Sequence, residues 1–193
     1  SYTVYVQSVK GDKTSDWSSV SFTTLSADEL YLYDRQDNSG IIADNNSEQR
    51  DVTLQGRTLY KDGGWNTLCL PFSLNATQLT ASPLAGAEIR TLNNASFSNS
   101  TLTLTFTPAS GEGAVTSIAA GVPYIIKWDG DGTNNIVNPV FTGVTIDQTA
   151  RNIVCDLGNG KDITFCGTYT GRSFTEDDRS ILFLGAENSI YYP

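Results

Sequence analysis

Residues 101–107 read Thr-Leu-Thr-Leu-Thr-Phe-Thr, and this strict alternation decides the fold class of the chain. Successive side chains of a β-strand point to opposite faces, so Leu102, Leu104 and Phe106 share one face and the threonines share the other. A strand with one apolar and one polar face is typical of an antiparallel sheet that covers a core on one side only.

The same period of two recurs along most of the sequence. Short turn sequences, among them Asp62-Gly63 and Asn159-Gly160, separate these segments. No segment shows a long helical repeat. Many short strands with tight turns predict an all-β fold, specifically an antiparallel, jelly-roll-like β-sandwich. The further predicted strands are 66–72, 122–128, 140–146, 163–169, 180–184 and 189–192, and the further predicted turns are 130–132 and 185–188.

Composition narrows the classes of function. The 193 residues contain no histidine and no methionine, and the formal net charge is −9. The absence of histidine excludes Ser-His-Asp and Cys-His chemistry and His-ligated metal sites. An acidic surface repels phosphate backbones and anionic lipids, and no apolar run is long enough to span a bilayer. We therefore expect no nucleic-acid partner, no membrane insertion in this segment and no cofactor.

Paired carboxylates are the one common hydrolytic mechanism that remains without histidine. The acidic residues in predicted loops are Glu112, Glu176, Asp177 and Asp178. Nothing in the sequence pairs two of them across a cleft, and acidic loops are usually solvated. We therefore assign no catalytic residue and expect the chain not to be an enzyme.

The sequence divides into a short segment, residues 1–25, a linker, 26–30, and a large domain, 31–193. The first segment contains two predicted strands, 2–9 and 19–25, joined by a polar stretch. Two strands alone are marginally stable in water, so we expect them to pair with the main domain or with a neighbouring chain. The lack of methionine predicts that the chain is cut from a longer polypeptide.

Residues 2–9 read Tyr-Thr-Val-Tyr-Val-Gln-Ser-Val, and Ser-Asp-Trp-Ser at 15–18 and Phe-Thr-Thr at 22–24 follow them. This order resembles the last two strands of a fibronectin type III domain. Tyr2 takes the position of the corner tyrosine of that family. The resemblance implies a partial domain, because the five preceding strands are absent.

Residues 56–72 read Gly-Arg-Thr-Leu-Tyr-Lys-Asp-Gly-Gly-Trp-Asn-Thr-Leu-Cys-Leu-Pro-Phe. Together with 118–128, 138–141 and 181–185, this stretch resembles a β-sandwich domain near the C-terminus of gut-bacterial (Bacteroides-type) surface proteins. Those proteins often carry leucine-rich repeats or fibronectin-like modules. The resemblance spans roughly residues 30–193, and it implies that the domain continues beyond Pro193.

The resemblance implies an extracellular location at a bacterial cell surface, with any signal or anchor outside this segment. It also implies a non-catalytic module of a secreted multidomain protein that adheres to a polysaccharide or a host surface protein. Two alternatives remain open. One is a structural spacer or secretion-associated domain, and the other is a carbohydrate-binding accessory module of a larger enzyme.

Tyr60, Trp65 and Trp128 are the candidate ligand-binding residues. If Asp62-Gly63 forms a type I′ turn, Tyr60 lies directly opposite Trp65 on one face of a hairpin. Two exposed aromatic rings side by side form a platform on which a sugar ring can stack. The alternative is a cross-strand aromatic pair that stabilises the hairpin or is buried against a second sheet.

The segment Asp129-Gly130-Asp131-Gly132-Thr133-Asn134-Asn135 contains the one weak metal candidate, Asp129 with Asp131. Alternating carboxylate and amide oxygens suit calcium. The bidentate glutamate of an EF-hand loop is missing, because its position is occupied by Val140. A turn between two strands explains the same residues, and we expect no metal here.

Three cysteines, Cys69, Cys155 and Cys166, form no metal-binding pattern. A two-residue turn at Gly160-Lys161 would place Cys155 directly opposite Cys166, close enough for a disulfide. The alternative is two small buried thiols.

Overall fold

The computed structural model describes residues 2–22, 28–175, 178–185 and 188–193. Strands account for 43% of the residues and helices for 7%. The prediction of an all-β fold is therefore confirmed.

Short strands and two brief helices follow one another along the described residues. They are β1 (Tyr2–Val6), β2 (Val9–Lys10), β3 (Lys13–Thr14), β4 (Ser18–Phe22), β5 (Glu29–Tyr33), α1 (Ser39–Asp44), β6 (Gln49–Gln55), β7 (Thr58–Leu59), β8 (Asn66–Cys69), α2 (Ala76–Thr80), β9 (Glu88–Arg90), β10 (Leu92–Ser98), β11 (Thr101–Phe106), β12 (Pro123–Lys127), β13 (Ile136–Val137), β14 (Val140–Thr145), β15 (Ile153–Gly158), β16 (Lys161–Phe165), β17 (Phe183–Leu184) and β18 (Ile190–Tyr191).

Two three-stranded sheets form the main body of the protein, in the orders β8-β12-β9 and β14-β6-β5. The pairs β12–β8, β12–β9 and β14–β6 are antiparallel, whereas β5 and β6 run parallel. The parallel pair departs from the predicted antiparallel pattern. Its cause is the connection between the two strands, which contains α1 and returns the chain to the end at which β5 began.

One hydrophobic core lies between these elements. Val52 of β6, Ile126 of β12 and Ile42 of α1 are almost completely buried in it. Phe72 and Phe141 pack with their ring centroids 5.1 Å apart. Side chains from both sheets therefore share one interior.

A second, smaller core lies between two hairpins, β10–β11 and β15–β16. Leu104 and Phe106 of the alternating segment turn toward it, and the intervening threonines are exposed. Phe106 meets Phe165 edge to face, with ring centroids 6.0 Å apart. The predicted two faces of residues 101–107 are confirmed.

The first two long strands, β1 and β4, form an antiparallel pair on their own. Within residues 2–22 neither strand joins another sheet of the described chain, and Val4, Val6 and Val20 are exposed. The expected pairing with the main domain is therefore wrong for these residues, whereas pairing with a neighbouring chain stays a prediction. Residues 23–25 of the second predicted strand lie outside the described residues.

The predicted linker, residues 26–30, contains the beginning of a β-strand. Ser26 and Ala27 lie outside the described residues, but Glu29 and Leu30 belong to β5. Leu30 is buried in the main core. The main domain therefore begins with a strand that the sequence patterning did not reveal.

Candidate functional site

The segment between β7 and β8 lies beside a surface cleft of about 440 Å³. This volume is within the range of small-ligand sites in proteins. The cleft is lined by Tyr60, Asp62, Gly63, Gly64, Trp65, Asn66, Gly185 and Asn188. The predicted pair Tyr60 and Trp65 is therefore present in one cleft, together with polar residues from a distant part of the chain.

The hairpin expected to carry this pair does not form. β7 pairs with β13, whereas β8 pairs with β12, so Tyr60 is not a cross-strand neighbour of Trp65. A type I′ turn needs a positive φ at both central residues, and only Gly63, at +82°, has one. Instead Asp62 Oδ1 accepts a hydrogen bond from the Gly64 amide at 2.8 Å, which closes an Asx turn.

The side chain of Asn66 replaces the missing strand partner. The Tyr60 amide donates to Asn66 Oδ1 at 2.8 Å, and Asn66 Nδ2 donates to the Tyr60 carbonyl at 2.9 Å. Asn66 is itself buried, at 7% exposure. Because both backbone groups of Tyr60 are fixed in this way, its Cα–Cβ bond projects the phenol from a defined point at the rim of the cleft.

A second segment supports the loop from the other side. The Lys61 amide donates to Asn135 Oδ1 at 2.8 Å, and the Gly132 amide donates to the Lys61 carbonyl at 2.9 Å. At Gly130 a Cβ atom would lie 2.2 Å from the Lys61 carbonyl oxygen, so only glycine permits this approach. Residues 129–135 therefore act as a buttress for the cleft.

This packing bears on the weak metal candidate, Asp129 with Asp131. Asp131 Oδ1 accepts hydrogen bonds from the Thr133 hydroxyl at 2.7 Å and from its amide at 3.0 Å, and these bonds lower the pKa of Asp131. Asp131 thus stabilises its own turn. Within the described part of the chain no three His, Cys, Asp or Glu side chains form a group that could hold a metal ion.

The Trp65 indole is partly buried under two cations. Lys127 Nζ lies 4.9 Å from the ring centroid and Arg90 Cζ lies 5.6 Å from it. Glu88 forms ion pairs with both cations, at 3.5 Å to Lys127 Nζ. The Trp65 amide donates to Asn188 Oδ1 at 2.7 Å. Cation–π contacts and this hydrogen bond therefore hold the indole at the cleft.

Tyr60 and Trp128, the other two aromatic residues predicted to bind ligand, differ sharply in exposure. Tyr60 is 52% exposed, whereas Trp128 is 4% exposed and its Nε1 donates to the Ala85 carbonyl at 3.0 Å. The prediction that Trp128 binds ligand is therefore wrong, because its ring belongs to the main core. Lys61 Nζ lies 5.5 Å above that ring, so Trp128 supports the loop from beneath.

Among the described residues, four side-chain polar groups of the lining have no hydrogen-bond partner: the Tyr60 hydroxyl, Asp62 Oδ2, Trp65 Nε1 and Asn188 Nδ2. Asn66, by contrast, uses its side chain fully, on Tyr60 and on the Ile126 carbonyl. The cleft thus combines aromatic surface with an acceptor, two donors and a hydroxyl. These are the groups that recognise a ligand with both apolar faces and hydroxyls.

The acidic candidates do not form a catalytic pair among the described residues. Glu112 is exposed in a loop, and Asp178 accepts hydrogen bonds from the Ser180 amide and hydroxyl. Glu176 and Asp177 lie outside the described residues.

The hairpin that carries two of the cysteines forms, but in a different register. Asn159 and Gly160, with φ of 55° and 70°, occupy the turn, so Cys155 lies opposite Ile163 and not opposite Cys166. A further shift by one residue occurs before Gly158. All three cysteines are free, with Cys155 buried and Cys166 exposed. The predicted Cys155–Cys166 disulfide is therefore wrong.

Sequence reasoning missed Asn66 and Asn188. Asn66 lies on the inward face of β8 together with Leu68. An amide at an inward position of a strand indicates a buried polar group that needs hydrogen-bond partners, and this was the signal that could have identified it. Asn188 lies 123 residues from Trp65, so no local pattern could reveal their contact.

The fold and the cleft define this chain as an all-β protein with a small, aromatic and polar surface site. No protein-family model, curated protein or solved structure matches it. Among the helices of the described residues, none has the length and apolar character needed to cross a membrane.

Proposed function

We propose that the chain is a non-catalytic, extracellular β-sandwich module of a multidomain bacterial surface protein, and that it binds a saccharide in the cleft between Tyr60 and Trp65. The observation that supports saccharide binding most directly is the combination of one exposed phenol, one fixed indole and four side-chain polar groups without partners among the described residues. Adhesion to a polysaccharide, or to the glycans of a host surface protein, follows from such a site.

The chemistry of sugars fits these residues. A pyranose ring presents C–H groups on its faces and hydroxyls around its edge. The faces pack on aromatic rings, and the hydroxyls exchange hydrogen bonds with carboxylate, amide and phenol groups. Tyr60, Trp65, Asp62 and Asn188 supply these partners along one cleft.

A structural spacer is the second candidate, and the contacts of Trp65 favour it. Arg90 and Lys127 lie over its ring, so the indole also stabilises the surface of the sheet β8-β12-β9. A spacer needs this indole but does not need the exposed ring of Tyr60. The two functions therefore make different predictions for Tyr60.

The test is Tyr60→Ala on an array of neutral and acidic oligosaccharides. The backbone bonds from Tyr60 to Asn66 do not involve the phenol, so the variant should keep its melting temperature. We expect retention on the array to fall at least about tenfold. Tyr33→Ala is the matched control, because Tyr33 is 39% exposed and does not line the cleft. Wild-type protein that binds no saccharide, or equal retention by both variants, would favour the spacer.

A further inference from the structure

We infer that the cleft discriminates between saccharides by charge: it accepts neutral sugar rings and rejects uronates, and Asp62 is the specificity-determining residue. The inference rests on the proposed function, because it concerns the same cleft. It adds the chemical class of the ligand and assigns the discrimination to one carboxylate.

The cations near the cleft do not line it, and each lies over an aromatic ring. Lys61 Nζ lies over the Trp128 ring, and Lys127 and Arg90 share Glu88 and the Trp65 ring. Asp62 forms no ion pair with any cation of the described residues. It is also the one charged residue among the described residues that line the cleft. The formal charge of the described lining residues is therefore negative.

The two oxygens of Asp62 have different tasks. Oδ1 accepts the hydrogen bond from the Gly64 amide and fixes the turn. Oδ2 has no partner among the described residues and can accept hydrogen bonds from sugar hydroxyls. A hydroxyl donor gains from a charged acceptor, whereas a carboxylate on the sugar meets a like charge at short range. One residue thus favours the neutral ring and opposes the anionic ring.

The experiment uses pairs of oligosaccharides with the same backbone, one neutral and one oxidised at C6 to the uronate, in gluco, galacto and manno series. Dissociation constants are measured at low and at physiological ionic strength. For the series that binds best, we expect the neutral member to bind at least about tenfold more tightly at low salt. The ratio should shrink as salt screens the charge of the exposed carboxylate.

Asp62→Asn keeps Oδ1 for Gly64 and removes the charge. We expect this variant to bring the two members of the pair to within about threefold of each other. Asp156→Asn is the matched control: Asp156 Oδ1 accepts a hydrogen bond from the Gly158 amide at 2.7 Å, so the change in net charge and the turn chemistry are the same. The control should keep the wild-type ratio.

The outcomes separate the inference from the proposed function. Equal binding of both members by the wild-type protein, or an unchanged ratio in Asp62→Asn, overturns the charge selection and leaves saccharide binding intact. Absence of binding in every series overturns the proposed function and this inference with it. The wild-type ratio tests the inference even if Asp62→Asn does not fold.

Discussion

Asn66 satisfies both backbone polar groups of Tyr60, with N–H···Oδ1 at 2.8 Å and Nδ2–H···O at 2.9 Å. A neighbouring strand normally makes this pair of bonds. Here a single buried side chain makes them, because β7 and β8 diverge into different sheets directly after Leu59. The position of the Tyr60 backbone, from which the exposed ring projects, thus depends on an amide inside the protein.

Asn66→Leu should destabilise the protein by about 2–4 kcal/mol. The substitution removes three hydrogen bonds and leaves the N–H and C=O of Tyr60 without partners at a part-buried site. Urea unfolding followed by circular dichroism measures the effect. Asn188→Ala removes one exposed hydrogen bond and should cost less than about 1 kcal/mol. Equal losses in the two variants would contradict the assigned role of Asn66.

Gly121→Ala should destabilise the protein far more than Gly86→Ala. Both glycines have a positive φ, +74° and +73°, so the conformational cost of alanine is the same, about 1–2 kcal/mol. A Cβ at Gly121 would also lie 2.0 Å from the Thr149 carbonyl oxygen, whereas nothing lies within 4 Å at Gly86. We expect a further loss of at least about 2 kcal/mol at Gly121. Similar midpoints of thermal unfolding for the two variants would show that the close approach to Thr149 does not exist.

Alkylation of the cysteines should reveal three free thiols. In the native protein at neutral pH, Cys166 should react first because it is exposed, and Cys155 should react only slowly because it is buried. Denatured, non-reduced protein should take up three iodoacetamide groups, counted by intact mass. Uptake of a single group, with Cys155 and Cys166 both unmodified, would contradict the register of β15 and β16.

Local patterns predicted several of the strands, but not β5, β6, β9 or β10, and they did not predict which strands pair over long distances. The alternation in residues 101–107 foretold the exposed threonines of β11, because the period of a strand is a local property. The sequence pattern did not predict β5. Its parallel pairing with β6 depends on the connection that contains α1, and alternation of apolar and polar residues carries no information about such a connection. The register of β15 and β16 depended on a choice between two overlapping turns, and a shift of a few residues moved Cys155 from Cys166 to Ile163.

In the candidate site too, the sequence predicted residues that are close along the chain and did not predict contacts between distant ones. Tyr60 and Trp65 could be selected because aromatic residues close in sequence stay close in space. Trp128 could not be rejected, since its burial depends on the loop that carries Ala85. Asn188 reaches Trp65 only after the whole domain has folded.

Alkaline pH should destabilise the protein through Cys69. Burial raises the pKa of this thiol to about 11, whereas an unfolded cysteine ionises near about 8.5. A folded-state pKa above the unfolded value gives stability that is complete below about pH 8.5 and is lost as pH rises toward about 11. Between about pH 8.5 and 10 the loss should be about 1–2 kcal/mol.

The variant Cys69→Ala isolates this effect, because it removes the thiol and should flatten the dependence of stability on pH over that interval. Burial also raises the pKa of Tyr124 and Tyr169. Because unfolded tyrosine ionises near about pH 10, each of them adds only about 0.4 kcal/mol to the loss at the upper end of the interval. Urea unfolding at a series of pH values compares the two proteins. An equally steep fall in the variant would show that another group is responsible, and that the Cys69 thiol is not held in its protonated form by the fold.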